Sequence, residues 1–346
     1  MKKGKLTEAV KNADTISSQV KYERNIASAK ASATQWKNKY EHVIEELALA
    51  NARAEFVETV EFSGKVQALS KLKPSGEATA ICVWSDWHVE ERIEKAVMNG
   101  ANEYSPEIAL KRLRNMFRRS LMMIDVARGL TKIDTLVVAV LGDLITGYIH
   151  PELEESNYLS PTEATEFAGD ALVEGLTFLS REGGFKEIIV PCCVGNHGRT
   201  TMKQRVSTSF ANSFEGLMYK LLEKHTGIPK VKWKIEKSYH NWLNIQGHDT
   251  RFHHGEAMKF GGGVGGITIP VKKALHQWNQ NKPAAYDFFA HFHQSINMNR
   301  WTCNGSVIGM SPYAIQIKAE SEEPSQTVSV ISRARGKVFT ERVFCD

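Results

Sequence analysis

The sequence has few cysteines and no long apolar run. The cysteines are Cys82, Cys192, Cys193, Cys303 and Cys345. An odd number without CxxC spacing does not make a disulfide framework. The longest apolar stretch, 136–141, is far shorter than the roughly 20 residues that a membrane-spanning helix needs. The residues after Met1 are polar and lack the apolar core of a signal peptide. We therefore expect a cytoplasmic protein without membrane contact, and the host cytoplasm if the chain is encoded by a phage.

Composition excludes a disordered chain. Of the 346 residues, 42% are apolar and 24% are charged, and the formal net charge is +5. A chain of this length forms one large domain or two ordinary ones. Residues 1–75 carry 13 basic and 9 acidic side chains, so most of the excess positive charge lies there. The charge is a mild indication of polyanionic partners.

The N-terminal segment differs from the rest of the chain in its composition and in the spacing of its apolar residues. It contains neither Pro nor Gly between Leu6 and Phe62, and this predicts a long helix over about residues 25–60. Apolar residues recur there in alternating steps of 4 and 3 from Tyr22 to Val57, which is typical of a coiled coil. Such a helix joins subunits into a homo-oligomer, binds a partner, or packs on its own catalytic domain. We predict a basic helical segment with a linker over 1–75 and a catalytic domain over 76–346.

From Thr79 onward, short β-branched runs alternate with helical patterns. The predicted strands are 79–85, 135–141, 187–194, 242–245, 251–253 and 286–290, with a terminal hairpin at 328–331 and 338–343. The predicted helices are 106–128, 161–180 and 207–225. This alternation predicts an α/β fold. A glycine-rich loop at 261–266 lacks the pattern of a nucleotide P-loop and is either a mobile flap or a plain connector.

Aspartate, asparagine and histidine follow five of the predicted strands. The five strand ends are Ser85-Asp86-Trp87-His88, Gly142-Asp143, Gly195-Asn196-His197-Gly198, His253-His254-Gly255-Glu256 and Ala290-His291-Phe292-His293. Asp86 and His88 lie two apart, so on an extended backbone they point the same way and can reach one metal ion. Each motif alone is weak, but five in this order indicate a joint site.

These motifs resemble the calcineurin-like metallophosphoesterase family over about residues 79–310, and within it the repair-exonuclease branch. The resemblance implies two packed mixed β-sheets flanked by helices, in addition to the long N-terminal helix. It implies that Asp143 bridges two metal ions and that His197 is the catalytic histidine. One ion would be bound by Asp86, His88 and His293, and the other by Asn196, His254 and His291. His253 is an alternative to His254, which we prefer because it precedes Gly255.

Three residues depart from the family pattern. Thr146 stands where Asp or Asn is usual, Gly198 replaces the acidic residue after Gly-Asn-His, and Ala290 replaces a glycine. The departures leave every expected metal ligand in place. They affect the groups that orient those ligands, and the missing acid could leave His197 less well oriented. A carboxylate from another part of the chain, such as that of Glu256, is a candidate to replace this missing acid.

The ligand types predict the chemistry. Two divalent ions sharing an aspartate and a bridging hydroxide lower the pKa of that water and neutralise phosphoryl charge, while a histidine protonates the leaving oxygen. Nitrogen and oxygen ligands without thiolate suit manganese best, with iron, zinc or magnesium as alternatives. Arg199, Arg251 and Lys259 flank the site and are candidate contacts to a substrate phosphate.

The leading functional prediction is a bacterial or phage phosphodiesterase acting on DNA or RNA. This prediction rests on the basic N-terminal segment and on the basic residues of one predicted helix, which are Lys111, Arg112, Arg114, Arg118 and Arg119. The alternative is a phosphatase acting on a protein or small phosphoester through the same site. A third hypothesis is a scaffold that retains the fold without catalysis, and the complete ligand set argues against it.

Overall fold

The computed structural model describes residues 77–259, 266–317 and 319–346. The predicted N-terminal helix and its apolar seam lie outside these residues, as does the glycine-rich loop except for Gly266. Among the described residues, no helix is long and apolar enough to cross a bilayer.

Eleven strands and six α-helices alternate along the described chain. The strands are β1 (Glu77–Trp84), β2 (Lys132–Val140), β3 (Glu187–Cys192), β4 (Val231–Ile235), β5 (Asn241–Ile245), β6 (His248–Phe252), β7 (Tyr286–Phe289), β8 (Ile296–Asn297), β9 (Trp301–Cys303), β10 (Ser325–Ser332) and β11 (Gly336–Phe344). The helices are α1 (Pro106–Arg128), α2 (Pro151–Ser156), α3 (Pro161–Glu182), α4 (Phe214–His225), α5 (Thr268–Asn279) and α6 (Pro312–Ile317).

The strands form two mixed sheets. The first has the order β11-β10-β1-β2-β3-β4, in which β1 to β4 are parallel and β10 and β11 are antiparallel. The second has the order β5-β6-β7-β9-β8, in which β6, β7 and β9 are parallel. The predicted α/β architecture of two mixed sheets flanked by helices is confirmed for the described residues.

The sheets pack face to face because each contributes apolar side chains to one shared core. Val83 and Val137 from the first sheet belong to the same buried cluster as Phe252 and Phe288 from the second. Helices cover the outer faces. Phe117 of α1 packs on Trp84 of the first sheet, with ring centroids 4.9 Å apart. On the other side, α5 buries Val271 and Leu275 against the second sheet.

Sequence patterns located most of these elements. Helix α1 has the predicted bounds, because Ser105 caps it and accepts the Ile108 amide hydrogen bond. The helix predicted from residue 207 instead begins at Phe214, since Ser213 is its N-cap and accepts from the Gly216 amide. Strands β4, β8 and β9 and helices α2, α5 and α6 were not predicted. The three strands have five, two and three residues, and such short runs give alternation of apolar and polar residues little length to appear.

Candidate metal centre

The loops that carry the motifs follow β1, β2, β3, β6 and β7. Strands β1, β2 and β3 are parallel neighbours, so their carboxyl ends meet at one edge of the first sheet. Main-chain hydrogen bonds join the first two loops, from the Asp86 amide to Gly142 O (3.0 Å) and from the His88 amide to Asp143 O (3.2 Å). The shared core brings the ends of β6 and β7 to the same place.

Five of the predicted ligands have left-handed backbone conformations. They are Asp86, His88, Asp143, His291 and His293, with φ between 50° and 74°. Only three other non-glycine residues of the described chain have positive φ. Such a conformation costs about 1–3 kcal/mol per residue and concentrates at functional sites. Asp86 and His88 therefore do not converge because of an extended strand, as the sequence argument assumed; β1 ends at Trp84, and the turn of the backbone directs both side chains.

Three overlapping groups of side chains could each hold a metal ion. In every group the potential ligand atoms lie within 4.8 Å of one another. The groups are Asp86 with His88 and His293, His88 with Asp143 and His197, and Asp143 with His254 and His291. Asp143 belongs to two groups and is 1% exposed. Asp143 shares His88 with the first group and is itself a member of the third, so it connects the side chains of the two groups.

Asn196 lies beside the third group. His254 Nε2 lies 2.8 Å from Asp143 Oδ2 and 3.1 Å from Asn196 Oδ1. His254 Nδ1 is 2.7 Å from Leu141 O, and because a carbonyl only accepts, Nδ1 carries the proton and leaves Nε2 facing the group. Hydrogen bonding of the second ring nitrogen is how proteins orient metal-binding histidines.

His253 lies outside these groups. Its ring stacks on Phe289 with centroids 5.3 Å apart, and it is fully buried. Its nearest carboxylate is Asp287, whose Oδ1 is 3.8 Å from His253 Nε2. The geometry therefore favours His254 over His253 as the member of the cluster.

The side chains fit a divalent cation. His88 Nε2 and His293 Nε2 face each other at 3.2 Å, and His293 Nε2 is 3.4 Å from Asp86 Oδ1. Two ring nitrogens and a carboxylate directed at one point are the arrangement of ligands around a metal ion. The donors are nitrogen and oxygen, which suits manganese, iron or zinc.

The titration of the cluster reflects its burial and crowding. Burial lowers the pKa of His88, and the neighbouring His197 lowers it further. Burial also opposes the charged forms of His254 and Asp143. Their mutual attraction, together with other neighbouring charges, outweighs burial, so the pKa of His254 is raised and the pKa of Asp143 is held well below its usual range. A buried carboxylate that stays ionised is the group that cations require.

His197 is half-buried beside the first group. Its ring centroid is 4.8 Å from that of His88, and its amide donates to Asp143 Oδ1 at 2.8 Å. Its Nδ1 lies 3.0 Å from Thr146 O and therefore carries the proton there, which leaves Nε2 as the reactive nitrogen. The predicted catalytic histidine and the seven predicted metal ligands thus share one site.

Thr146, the first departure from the family pattern, joins several of these groups. Its hydroxyl is 2.9 Å from His88 Nδ1 and donates to Glu91 Oε2 at 3.2 Å. Its amide donates to Glu90 Oε1 at 2.8 Å. The hydroxyl, which donates to Glu91, thus holds His88, while the carbonyl of the same residue holds His197.

The other two departures are also accommodated. Ala290 is fully buried in the core between the sheets. The space beside Gly198 is filled by Glu215 of α4, a residue that sequence reasoning missed. Glu256, the suggested substitute, instead accepts a hydrogen bond from the Tyr239 hydroxyl. No motif spacing could have revealed Glu215, because its position depends on where α4 packs.

The three candidate phosphate contacts have different environments. Arg251 is 1% exposed and paired with Asp287 at 2.5 Å, so it is a core ion pair and not a substrate contact. Arg199 donates to three carbonyls of its own loop, including that of Asn196 at 2.7 Å. Lys259 is exposed and precedes residues outside the described chain. Only Arg199 lies directly beside a candidate ligand.

The basic residues of α1 are largely engaged within the protein. Arg112 is 6% exposed and pairs with Asp346 at 2.7 Å. Arg114 pairs with Glu174 at 2.9 Å, and Arg119 donates to Phe344 O. Lys111 and Arg118 remain exposed, so this helix presents only part of the basic surface that its sequence indicated.

Comparisons with known proteins identify only distant similarities. No family model and no curated protein matches the sequence. A single mutant of Vps29 from Entamoeba histolytica is 14% identical, covers 77% of this chain and 98% of its own, and has a TM-score of 0.29. The hypothetical protein PH1004 from Pyrococcus horikoshii is 12% identical, with coverage of 78% and 89% and a TM-score of 0.38. The sulfate thiohydrolase SoxB from Thermus thermophilus is 7% identical, with coverage of 79% and 57% and a TM-score of 0.30. These similarities assign no activity to the chain.

Proposed function

We propose that the protein is a metal-dependent phosphoesterase that holds two divalent ions. The observation that carries the proposal is the convergence of seven nitrogen and oxygen ligands, with one further histidine, at the loops after five strands. We assign Asp143 to both ions because it belongs to two of the three groups. The proposed ligands are Asp86, His88 and His293 for one ion, Asn196, His254 and His291 for the other, and Asp143 for both.

Each residue has a defined task in this proposal. Divalent ions held here would lower the pKa of water and neutralise the charge of the phosphoryl oxygens. Leu141 O fixes the ring of His254, and the Thr146 hydroxyl fixes the ring of His88. His197 transfers a proton at Nε2, because its Nδ1 proton is held by Thr146 O. It is the proposed general acid for the leaving oxygen.

The finer proposal is a phosphodiester substrate in DNA or RNA, as in the repair-exonuclease branch that the motifs resemble. The supporting feature is the loop 199–209, which directly follows His197 and Gly198. It carries Arg199, Lys203 and Arg205 and no acidic residue, and the last two are exposed. A small pocket of this loop is lined by Asn196, Arg199 and Arg205. Cations beside the metal site are suited to the flanking phosphates of a polyanion.

Hydrolysis of bis-p-nitrophenyl phosphate and p-nitrophenyl phosphate, with Mn²⁺ and with EDTA, tests the reaction. We expect wild type to prefer the diester and to need the metal. His197→Ala should lose about 10²- to 10⁴-fold in rate, the usual contribution of a general acid. His276→Ala, which changes an exposed histidine of α5, is the matched control. A preference for the monoester would favour a phosphatase, and no hydrolysis of either ester with bound Mn²⁺ would favour a scaffold.

The loop supplies the test of the substrate class. Lys203→Ala/Arg205→Ala should weaken binding to single-stranded DNA and reduce the slope of log affinity against log salt by about one to two. Lys272→Ala/Lys273→Ala removes two exposed cations from α5 and should leave that slope unchanged. Equal effects of both pairs would mean that the net charge, rather than this loop, attracts the nucleic acid.

The two-part organisation is also a proposal. In it residues 1–75 join subunits or bind a partner, and residues 76–346 catalyse. If the segment joins subunits, deletion of residues 1–60 should reduce the number of subunits measured by light scattering and leave hydrolysis of the small diester unchanged. An unchanged number of subunits would exclude self-association and leave a partner or the protein's own domain as the surface that the segment contacts.

A further inference from the structure

The backbone at Gly198 has space for only one side chain, and another residue already occupies it. A Cβ added at Gly198 would lie 2.9 Å from Glu215 Cγ, 3.2 Å from its Cδ and 3.4 Å from its Oε2. The φ of Gly198 lies outside the left-handed range, so its conformation does not require glycine. The side chain of Glu215 therefore excludes a side chain at residue 198.

Glu215 joins the two loops that carry the bridging aspartate and the ligand asparagine. Its Oε1 accepts from the Leu144 amide at 2.7 Å, and its Oε2 accepts from the Gly195 amide at 2.7 Å. Leu144 directly follows Asp143, and Gly195 directly precedes Asn196. The side chain is fully buried, so water does not compete for these hydrogen bonds.

The start of α4 is anchored beside the same loop. The Phe214 amide donates to Gly198 O at 2.9 Å, and the Thr200 amide donates to Asn212 O at 2.9 Å. Ser213 caps the helix, which places Glu215 in its first turn. The helix therefore delivers its carboxylate to the space that a side chain at residue 198 would otherwise fill.

We propose that Glu215 is a positioning residue for the metal site: its carboxylate comes from α4 into the space beside Gly198 and binds the backbone of two ligand loops, not the ring of His197. It holds the loops of Asp143 and Asn196 at the separation that metal binding needs. The inference rests on the proposed metal site and concerns a residue that the sequence motifs do not contain. Glu90 binds the other end of the same loop, at the amides of Thr146 and Gly147, and so does not replace it.

Glu215→Gln is the first test, with binding of Mn²⁺ measured by calorimetry. The amide retains the size of the side chain but can accept from only one of the two backbone donors. We expect a dissociation constant about 10- to 100-fold larger, as for other groups that orient metal ligands, with an unchanged circular dichroism spectrum. Glu223→Gln on the exposed face of the same helix is the control and should bind as wild type.

A folded Glu215→Gln variant that binds Mn²⁺ as tightly as wild type would overturn the inference alone. Wild type that binds no Mn²⁺ would overturn both this inference and the proposed function. Weaker Mn²⁺ binding in the variant, with no hydrolysis of phosphoesters by wild type, would leave the inference standing and remove the proposed function.

A relocation of the carboxylate gives the second test. Glu215→Ala should weaken Mn²⁺ binding, and Gly198→Asp alone should destabilise the fold because the new side chain meets Glu215. Gly198→Asp/Glu215→Ala should recover about tenfold or more of the Mn²⁺ affinity that Glu215→Ala loses, since the space is free and a carboxylate again faces the two loops. A double variant that binds no better than Glu215→Ala, or that does not fold, would contradict the relocation.

Discussion

Replacing Thr146 with valine tests how the histidine ligands are oriented. The residue is fully buried, and valine has nearly the same shape without the hydroxyl. The change removes the oxygen that lies 2.9 Å from His88 Nδ1. Because Nδ1 then has no acceptor, the proton is no longer held there, and the tautomer with Nε2 free for a metal ion loses its advantage.

The magnitude follows from two independent considerations. A buried donor left without a partner costs about 1–3 kcal/mol. Loss of a hydrogen bond that orients a metal ligand costs about 10- to 100-fold in affinity, which corresponds to about 1.4–2.8 kcal/mol. Glu91 also loses a hydrogen bond, but it is only half-buried and can turn to water. The expected loss is therefore about 1.5–3 kcal/mol in Mn²⁺ binding.

Calorimetric titration with Mn²⁺ measures this loss directly, and urea unfolding in EDTA gives the accompanying loss of stability. Thr146→Ser retains the hydroxyl and should bind Mn²⁺ within about threefold of wild type. The orientation of His197 should be preserved in both variants, because the main-chain carbonyl holds it. The reasoning would be refuted if Thr146→Val bound Mn²⁺ like wild type, or if Thr146→Ser were equally weakened.

Three further predictions concern the residues around the site. Arg251→Met leaves the buried Asp287 unpaired and should lower the free energy of unfolding by about 3–5 kcal/mol without changing the KM for the diester. A raised KM at unchanged stability would instead indicate that Arg251 contacts the substrate. Burial, and next the charge of a neighbouring histidine, lower the pKa of His291 to about 3. Between about pH 6 and 4 the unfolded protein binds a proton at this histidine and the folded protein does not. As the pH falls through this range in EDTA, the free energy of unfolding should therefore decrease by about 1.4 kcal/mol per pH unit more in wild type than in His291→Asn. Parallel pH profiles of the two proteins in urea unfolding would contradict this. Gly142→Ala would place a Cβ 2.2 Å from the Gly195 amide nitrogen at a φ of +85°, so the backbone strain alone should cost about 1–3 kcal/mol, and an unchanged melting temperature would show that the loop can move aside.

Much of the candidate site could be predicted because parallel strands bring distant residues to one edge. Asp86, Asp143 and His197 each follow a strand of the first sheet, and His254 and His291 follow strands of the second. The order of the motifs was therefore sufficient to group them. It was not sufficient to explain how Asp86 and His88 converge, because the left-handed turn of each residue is a property of the packed loops.

Charge was the least reliable signal in the sequence. Arg112 and Arg251 were counted as basic residues available to a substrate, yet both are buried in ion pairs. Composition records the number of cations but not their partners. A cation contributes to an external field only if it remains exposed, and burial is decided by packing between elements that are distant along the chain.

The sequence by itself predicted the proposed ligands, most of the strands, the longer helices and the lack of a disulfide framework, because these predictions depend on residue type and local spacing. Tertiary structure alone decided which of His253 and His254 joins the cluster, and it alone revealed Glu215. His254 faces Asp143, while His253 stacks in the core on Phe289. Glu215 is distant from Gly198 along the chain and reaches it only because α4 starts beside that loop. Groups that support a site act through space, and their spacing along the chain carries no signal until the fold has brought them together.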